Sequence, residues 1–513
     1  MNRTTLSLIG AATALAAITG VASLTAGSPD DAGSAAKAAT RLPVQRSTLL
    51  CPTPSSSEVS TTTYTAYTPK RDGAGAKSGT AELLPAQSSA DETSGTDEGA
   101  KGKKGGQAAR GGNKPVLPLK APGKPVTTVT DSSGAPALIG TADGALAPGW
   151  TVQQTTRIDA GSGRGLLGTA CTAPDTDFWF PGASTDRDRQ DFVHLTNPDD
   201  GAAEVDLKLY GTGGRLKSAT DESITVPGRS TVPVLLSTLT DQRAANVSLH
   251  VTARTGRVGA AVQAVDQKLG SDWLPASAAP STSVALPGIP ADATSARLVV
   301  FAPGSNDADL KVRLAGPTSS ITPAGHESLH VKSGMSTAID LGDVTKGEPG
   351  SLLLTPEGGE GAATPVVAAL RVTRGEGSGQ ETAFIPATGQ IERSATAADN
   401  RAKGSTLSLV APGATAKVRV TASAGSDGGS PVSKTYEVKG GTSMSVPAPR
   451  PASGKGRYAV TVERLSGGPV HASRMLALPQ GGIPMFTIQP LPDDRGMVAV
   501  PEAGQDLSLL SGD

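Results

Sequence analysis

The sequence predicts an all-β protein: four tandem β-sandwich modules of immunoglobulin-like type behind an N-terminal signal or anchor helix. Three observations predict it. A strand, a proline turn and a second alternating strand recur in LTNPDDGAAEVDLKLYG at 195–211, VFAPGSNDADLKVRLAG at 300–316 and LVAPGATAKVRVTASAG at 409–425. Strand repeats spaced by roughly a hundred residues mean sandwich modules. A second motif, strand–glycine turn–strand, recurs at 248–265, 351–372 and 458–478, with a divergent copy at 151–171. Alternation on both arms of a Gly-rich turn predicts hairpins. An aromatic or apolar strand with proline follows each copy, at 177–184, 272–278, 383–389 and 485–492, which makes four modules. Third, Gly 63 and Pro 39 are high and aromatics are only 3%, a mix suited to short strands and many turns. The best helix signal, at 235–244, predicts a turn or two at a sheet corner.

In chain order, residues 1–28 read as a cleaved signal peptide or a retained membrane anchor. Arg3 precedes an apolar run from Leu6 to about Ala26, and Asp30 and Asp31 follow it. Residues 29–44 read as a linker. Module 1 is expected at 45–182, module 2 at 183–288, module 3 at 289–396, module 4 at 397–505 and a tail at 506–513. Within module 1, residues 86–114 are Ser/Gly-rich, acidic and then basic, with almost no apolar side chains. Such a segment buries too little surface to fold, so it predicts a disordered insertion. The modules are expected to follow one another as a string of beads.

Export gives the two cysteines meaning. Cys51 and Cys171 are the only pair, and an oxidising compartment predicts a disulfide between them. The net charge of −1 offers no basic field for nucleic acid.

The motifs that suggest chemistry each meet a competing structural reading. His326, Glu327 and His330 in HESLH match a zinc-protease signature, which needs a helix. The stretch instead aligns with the strand–turn–strand segments ESITVPGRST at 222–231 and YEVKGGTSMSV at 436–446. On a strand, the two histidines stand about 13 Å apart, too far to share one ion. Gly163, Gly165 and Gly168 match a dinucleotide-binding pattern, but in a hairpin and not at the start of a helix. Asp186, Asp188 and Asp191 alternate with Arg187 and Arg189, which reads as a solvated, salt-bridged strand edge and not as a calcium loop. Asn197, Asp199 and Asp200 belong to a turn for backbone reasons. His194, His250 and His471 are scattered over strand patterns. Trp179, Trp273, Phe384 and Phe486 read as repeated core or inter-module positions at module ends, and Trp150 as a ligand platform worth testing. No catalytic, cofactor-binding or metal-ligating set is assigned.

RSTLLCPTPS at 46–55, GLLGTACTAPDTDFWFPG at 165–182 and GSDWLPAS at 270–277 carry a resemblance that covers most of the chain. It is similar to a family of uncharacterised exported actinobacterial proteins, a domain of unknown function. The resemblance supplies no catalytic residues. Its gene neighbourhood, beside a cell-envelope glycosyltransferase, implies an envelope role. The expected function is therefore a non-catalytic, extracytoplasmic scaffold or binding protein, secreted or anchored to the cell membrane. Its expected partner is an envelope protein or glycan, and surface-glycan assembly is the process it would assist. An adhesin or carbohydrate-binding array, and a secreted hydrolase, are the alternatives.

Overall fold

A computed structural model describes residues 40–71, 78–88, 114–161, 163–219, 223–358 and 363–500. The expected signal or anchor at 1–28, residues 89–113 of the expected insertion and the tail at 506–513 lie outside them.

Period-two patterning produces strands throughout. ADLKVRLA forms Ala308–Ala315 with Asp309, Lys311 and Arg313 outward and Leu310, Val312 and Leu314 in the core. Ala416–Ala422 does the same with Lys417 and Arg419 outward. Among the described residues the strands of the modules pair into eight sheets, two to a module, with equivalent strand order in all four modules. Module 2 shows the plan. One sheet runs Asp177–Ala183, Val247–Thr255, Ala203–Gly211; the other runs Gly270–Leu274, Gly259–Asp266, Arg189–Thr196, Ser230–Leu235. Inward side chains of the two sheets, such as Val193, Leu195, Val205, Leu249 and Val262, form one core between them. A separate short ribbon joins Thr40–Pro43 to Met497–Val500, so the end of the expected linker is a strand.

Several expectations change. The strand Asp177–Ala183, expected at the end of module 1, pairs with Val247–Thr255 and opens module 2. Likewise Val284–Ile289 pairs with Gly350–Pro356 and opens module 3, and Ser394–Asn400 opens module 4 by pairing with Tyr458–Gly467. The proline turn that marks the repeat joins a module's second and third strands. The first strand therefore reads as the end of the preceding repeat. The expected hairpins at 248–265, 351–372 and 458–478 are arches, because their two arms lie in different sheets. Alternation records which face of a strand is buried, and an arch and a hairpin bury faces alike. Of the four expected hairpins, only that of Thr151–Ile158 with Gly165–Ala170 pairs its two arms. The helix signal is one 3-10 turn, Leu236–Thr238.

The start of the expected disordered insertion is also ordered. Ala86 donates its N–H to Ala137 at 2.8 Å, and Gln87–Ser88 adds as a parallel strand to Ser230–Thr231 of module 2.

The modules are not beads. The four final strands are Gly165–Ala170, Gly270–Leu274, Glu381–Pro386 and Phe486–Pro490. Leu167 and Ile158 of module 1 pack on Trp273 of module 2. Phe384 and Ala369 of module 3 belong to the core of module 2, and Phe486 and Ile488 of module 4 belong to the core of module 3. Leu166 of module 1 packs on Leu476 and Met485 of module 4, which closes the circuit. Arg189 lies over the Phe384 ring at 5.1 Å and Arg374 over the Phe486 ring at 4.8 Å, adding a cation–π contact at two junctions. Residues 43–496 thus form one compact unit, a closed ring of four sandwiches.

Candidate functional site

The glycines of the false dinucleotide motif explain how the ring closes. A side chain on Gly165 would collide with the Ser271 carbonyl oxygen, and one on Gly168 would meet Thr487 at 2.5 Å. The final strand of module 1 needs bare backbone to lie against modules 2 and 4. That approach delivers two N–H groups to buried carboxylates. Gly168 donates to Asp272 Oδ1 at 3.0 Å and Leu166 donates to Glu381 Oε1 at 3.3 Å. Thr487 Oγ1 also donates to Asp272 Oδ1 at 3.1 Å, so three modules meet on one carboxylate. Arg164 stands 3.7 Å from Glu381.

Both carboxyls are sealed from solvent. Burial pushes Asp272 well above its ordinary value, although the Gly168, Trp273 and Thr487 donors act the other way. Burial pushes Glu381 up to about 8, opposed by Arg164 and the Leu166 N–H. A carboxyl raised this way contributes its full stability below its unfolded value, and loses that contribution as pH rises through its folded value. Glu381→Gln is therefore expected to flatten the fall in stability between about pH 5 and 8, and to exceed the native protein at about pH 8–9 by roughly 2–4 kcal/mol. Urea denaturation across that range reads the effect; a native-like fall in the variant contradicts it.

A second charged cluster locks module 4 to module 1. Asp399 accepts from Thr155 Oγ1 at 2.8 Å and pairs with Arg401 and Arg457, each at 3.3 Å. Gln153 Oε1 accepts from the Asp399 N–H at 2.7 Å and from Arg474 Nη2 at 2.9 Å. Arg474 also donates to Gln489 Oε1. Burial draws Arg474 down to about 10, against the attraction of Asp399. Burial alone would raise the Asp399 carboxyl, yet Arg401, Arg474 and Arg457 hold it below its ordinary value. At the rim of the same junction, Arg71 Nη2 pairs with Asp494 at 2.9 Å.

The structure separates the remaining candidates. HESLH spans a turn and the strand Ser328–Val331, where His330 Nδ1 bonds Asp309 at 2.7 Å and Nε2 stands 3.4 Å from Asp307. Among the described residues, no group of three or more His, Cys, Asp or Glu side chains is placed to hold a metal ion. Replacing His326 and His330 together with Ala is expected to change no zinc content and to cost at most about 1 kcal/mol, since His330 is exposed and His326 only half-buried. Stoichiometric zinc in the purified protein that vanishes in the double variant contradicts this.

Asp186, Asp188 and Asp191 do not converge. Asp188 pairs with Lys268 at 2.8 Å on the surface. Asp191 is buried, gripped by Arg189 at 2.8 and 2.7 Å and by the Ser184 N–H, so this pair is not the solvated strand edge expected. Asn197 caps its own turn, donating to Gly201 and Val226 carbonyls and accepting from Asp199 N–H. His250 stacks on Trp179 at 3.6 Å, and Trp179 also meets Phe301 of module 3. That is an inter-module position, but on the first strand of its module. His194, edge-on to Trp273 at 5.3 Å, is drawn down to about 4 by burial. His471 bonds the Thr388 carbonyl at 2.7 Å. Trp150 is buried in the core of module 1 and is no surface platform.

An open groove of about 300 Å³ lies between modules 1 and 2. Arg46, Thr48, Thr141 and Asp143 line it from module 1, and Pro198, Asp199, Arg229 and Arg257 from module 2.

The disulfide forms as expected: Cys51, ending the first strand of module 1, is bonded to Cys171, just past its last strand.

The fold and its junctions define a closed ring of four β-sandwiches joined by apolar contacts, buried hydrogen-bonded carboxyls and one buried ion cluster. Residues 126–449, more than half of the chain, match the model of the family of unknown function DUF5719. The chain belongs to that family. No curated protein matches it.

Proposed function

We propose that this protein is a non-catalytic binding scaffold of the cell envelope, exported through its N-terminal segment and presenting its module loops to an envelope protein or glycan. The observation that carries the reading is ring closure. Four modules locked through Asp272, Glu381 and Asp399 keep their loops in fixed mutual positions. Preorganised surfaces of this kind lower the entropy cost of binding. The junction carboxyls Asp272, Glu381 and Asp399 are spent on joining modules and are buried. The Cys51–Cys171 bond fits an oxidising compartment. Assistance to surface-glycan assembly is the role that follows.

Cross-linking in the native membrane, with identification of the captured partner, tests the proposal. A reproducible envelope partner is the expected result. Turnover of a polysaccharide or casein substrate by the purified protein would replace the scaffold reading with a hydrolase.

A further inference from the structure

The groove between modules 1 and 2 collects three arginines from three separate segments. Arg46 begins the first strand of module 1, Arg229 precedes Ser230–Leu235, and Arg257 sits in the arch after Val247–Thr255. Asp143, Asp199 and Asp200 stand beside them, yet guanidinium N–H groups are left without a carboxylate partner. Arg46 lies opposite Asp143 in strand register, but both Asp143 oxygens are taken by Thr80, the N–H at 2.7 Å and the hydroxyl at 3.1 Å. Among the described residues Arg46 has no ion-pair partner. Arg257 holds Asp199 with two bonds of 3.0 Å. Arg229 reaches Asp200 only at 3.9 Å and otherwise donates to the Pro198 carbonyl at 3.1 Å. The floor is apolar, from Ile139, Ala142 and Pro198.

Arg229 is also strained. Its φ is 56°, a left-handed conformation, whereas the corresponding turns of modules 3 and 4 place Gly334 (φ 67°) and Gly441 (φ 74°) there. An L side chain in that region costs about 1–2 kcal/mol, and such strain gathers at functional sites. Glycine would relieve it but would remove the guanidinium from the groove.

We propose that this groove binds an oxyanion of phosphate type, with Arg46, Arg229 and Arg257 as its donors. Planar guanidinium forks match phosphate oxygens, and Thr48 and Thr141 add hydroxyls beside them. No aromatic ring lines the groove to stack on a sugar face, so the phosphate group carries the recognition. The phosphate can belong to a soluble glycerol-phosphate unit, as in an envelope polymer, or to a lipid headgroup. The inference deepens the scaffold reading by naming its ligand chemistry, and rests on that reading only for the source of the phosphate.

The test titrates the intact, disulfide-bonded protein with inorganic phosphate and with glycerol 1-phosphate by calorimetry, and with phosphatidylglycerol vesicles by co-sedimentation. One saturable site is expected for the soluble probes. Arg46→Ala and Arg229→Gly should each weaken it about tenfold or more. Arg229→Gly should melt no lower than the native protein, since relief of strain offsets the lost bond to Pro198. Vesicle binding that needs the same arginines assigns the phosphate to a lipid headgroup; binding of the soluble probes alone assigns it to a polymer. Absence of saturable binding, or affinities unchanged in both variants, overturns the site. So does a marked fall in melting temperature for Arg229→Gly with phosphate affinity intact, which makes the arginine a structural clasp. None of these results alters which partner is captured by cross-linking in the membrane, so the site and the scaffold reading fail separately.

Discussion

Asp399→Ala is expected to destabilise the ring by about 3–5 kcal/mol, a large share of the stability of any folded domain. The carboxylate is fully buried and faces Arg401 and Arg457 directly, with Arg474 nearby. Its removal leaves the fully buried Arg474 and the partly buried Arg401 and Arg457 without their shared counter-charge. Breaking a buried ion cluster from one side costs more than the cluster contributes when intact, because the abandoned charges have lost their water. Asp399→Ala with Arg474→Met should be less damaging than the sum of the single changes, since one unpaired charge is removed with its partner. The same pairing predicts acid sensitivity. Asp399 is held below its ordinary value, so its contribution is complete above the normal carboxylate range and is lost as pH falls through its folded value. Denaturant unfolding of the single and double variants at neutral pH measures the coupling; strict additivity would show that the cluster is not a unit.

The second large effect belongs to the disulfide. Cys51 and Cys171 are 120 residues apart in sequence, and their bond closes the first strand of module 1 onto the end of its last. In the chain-entropy account, a loop of that length contributes about 4–5 kcal/mol by restricting the unfolded chain. Replacing either cysteine with serine is expected to lower stability by roughly that amount. Ring closure changes where the loss is felt. Module 1 supplies Leu166 to module 4, Leu167 to module 2 and the Gly168 N–H to Asp272. Loosening it should therefore weaken protection of Gly270–Leu274 and Phe486–Pro490 against amide exchange. Loss confined to residues of module 1 would show that the modules unfold one by one.

The sandwich architecture was legible because period-two burial is written directly into segments such as ADLKVRLA, and the four hairpin-like copies with the proline-bearing strands that follow them count the modules. Hairpins were not distinguishable from arches, since both arms of either present one apolar face. The junctions were hidden for a different reason. They join strands a hundred or more residues apart, and their chemistry rests on glycines, Gly165 and Gly168, whose only signature is the lack of a side chain. One signal pointed to them. Asp272 in GSDWL, Glu381 in ETAFIP, Asp399 in SATAADN and Arg474 in HASRMLA are charges inside strands that otherwise read as buried. A charge in such a place needs a buried partner, which marks these positions as special without saying which module supplies it. The groove escaped notice because Arg46, Arg229 and Arg257 are ordinary surface residues until the fold brings modules 1 and 2 together.

The account stands on closure of the ring, and small-angle X-ray scattering on residues 43–496 tests it most directly. A closed unit of that length predicts a radius of gyration of about 23 Å and a single compact distance distribution. Four sandwiches strung end to end would give about twice that radius with a long tail of distances, and that result would contradict the ring.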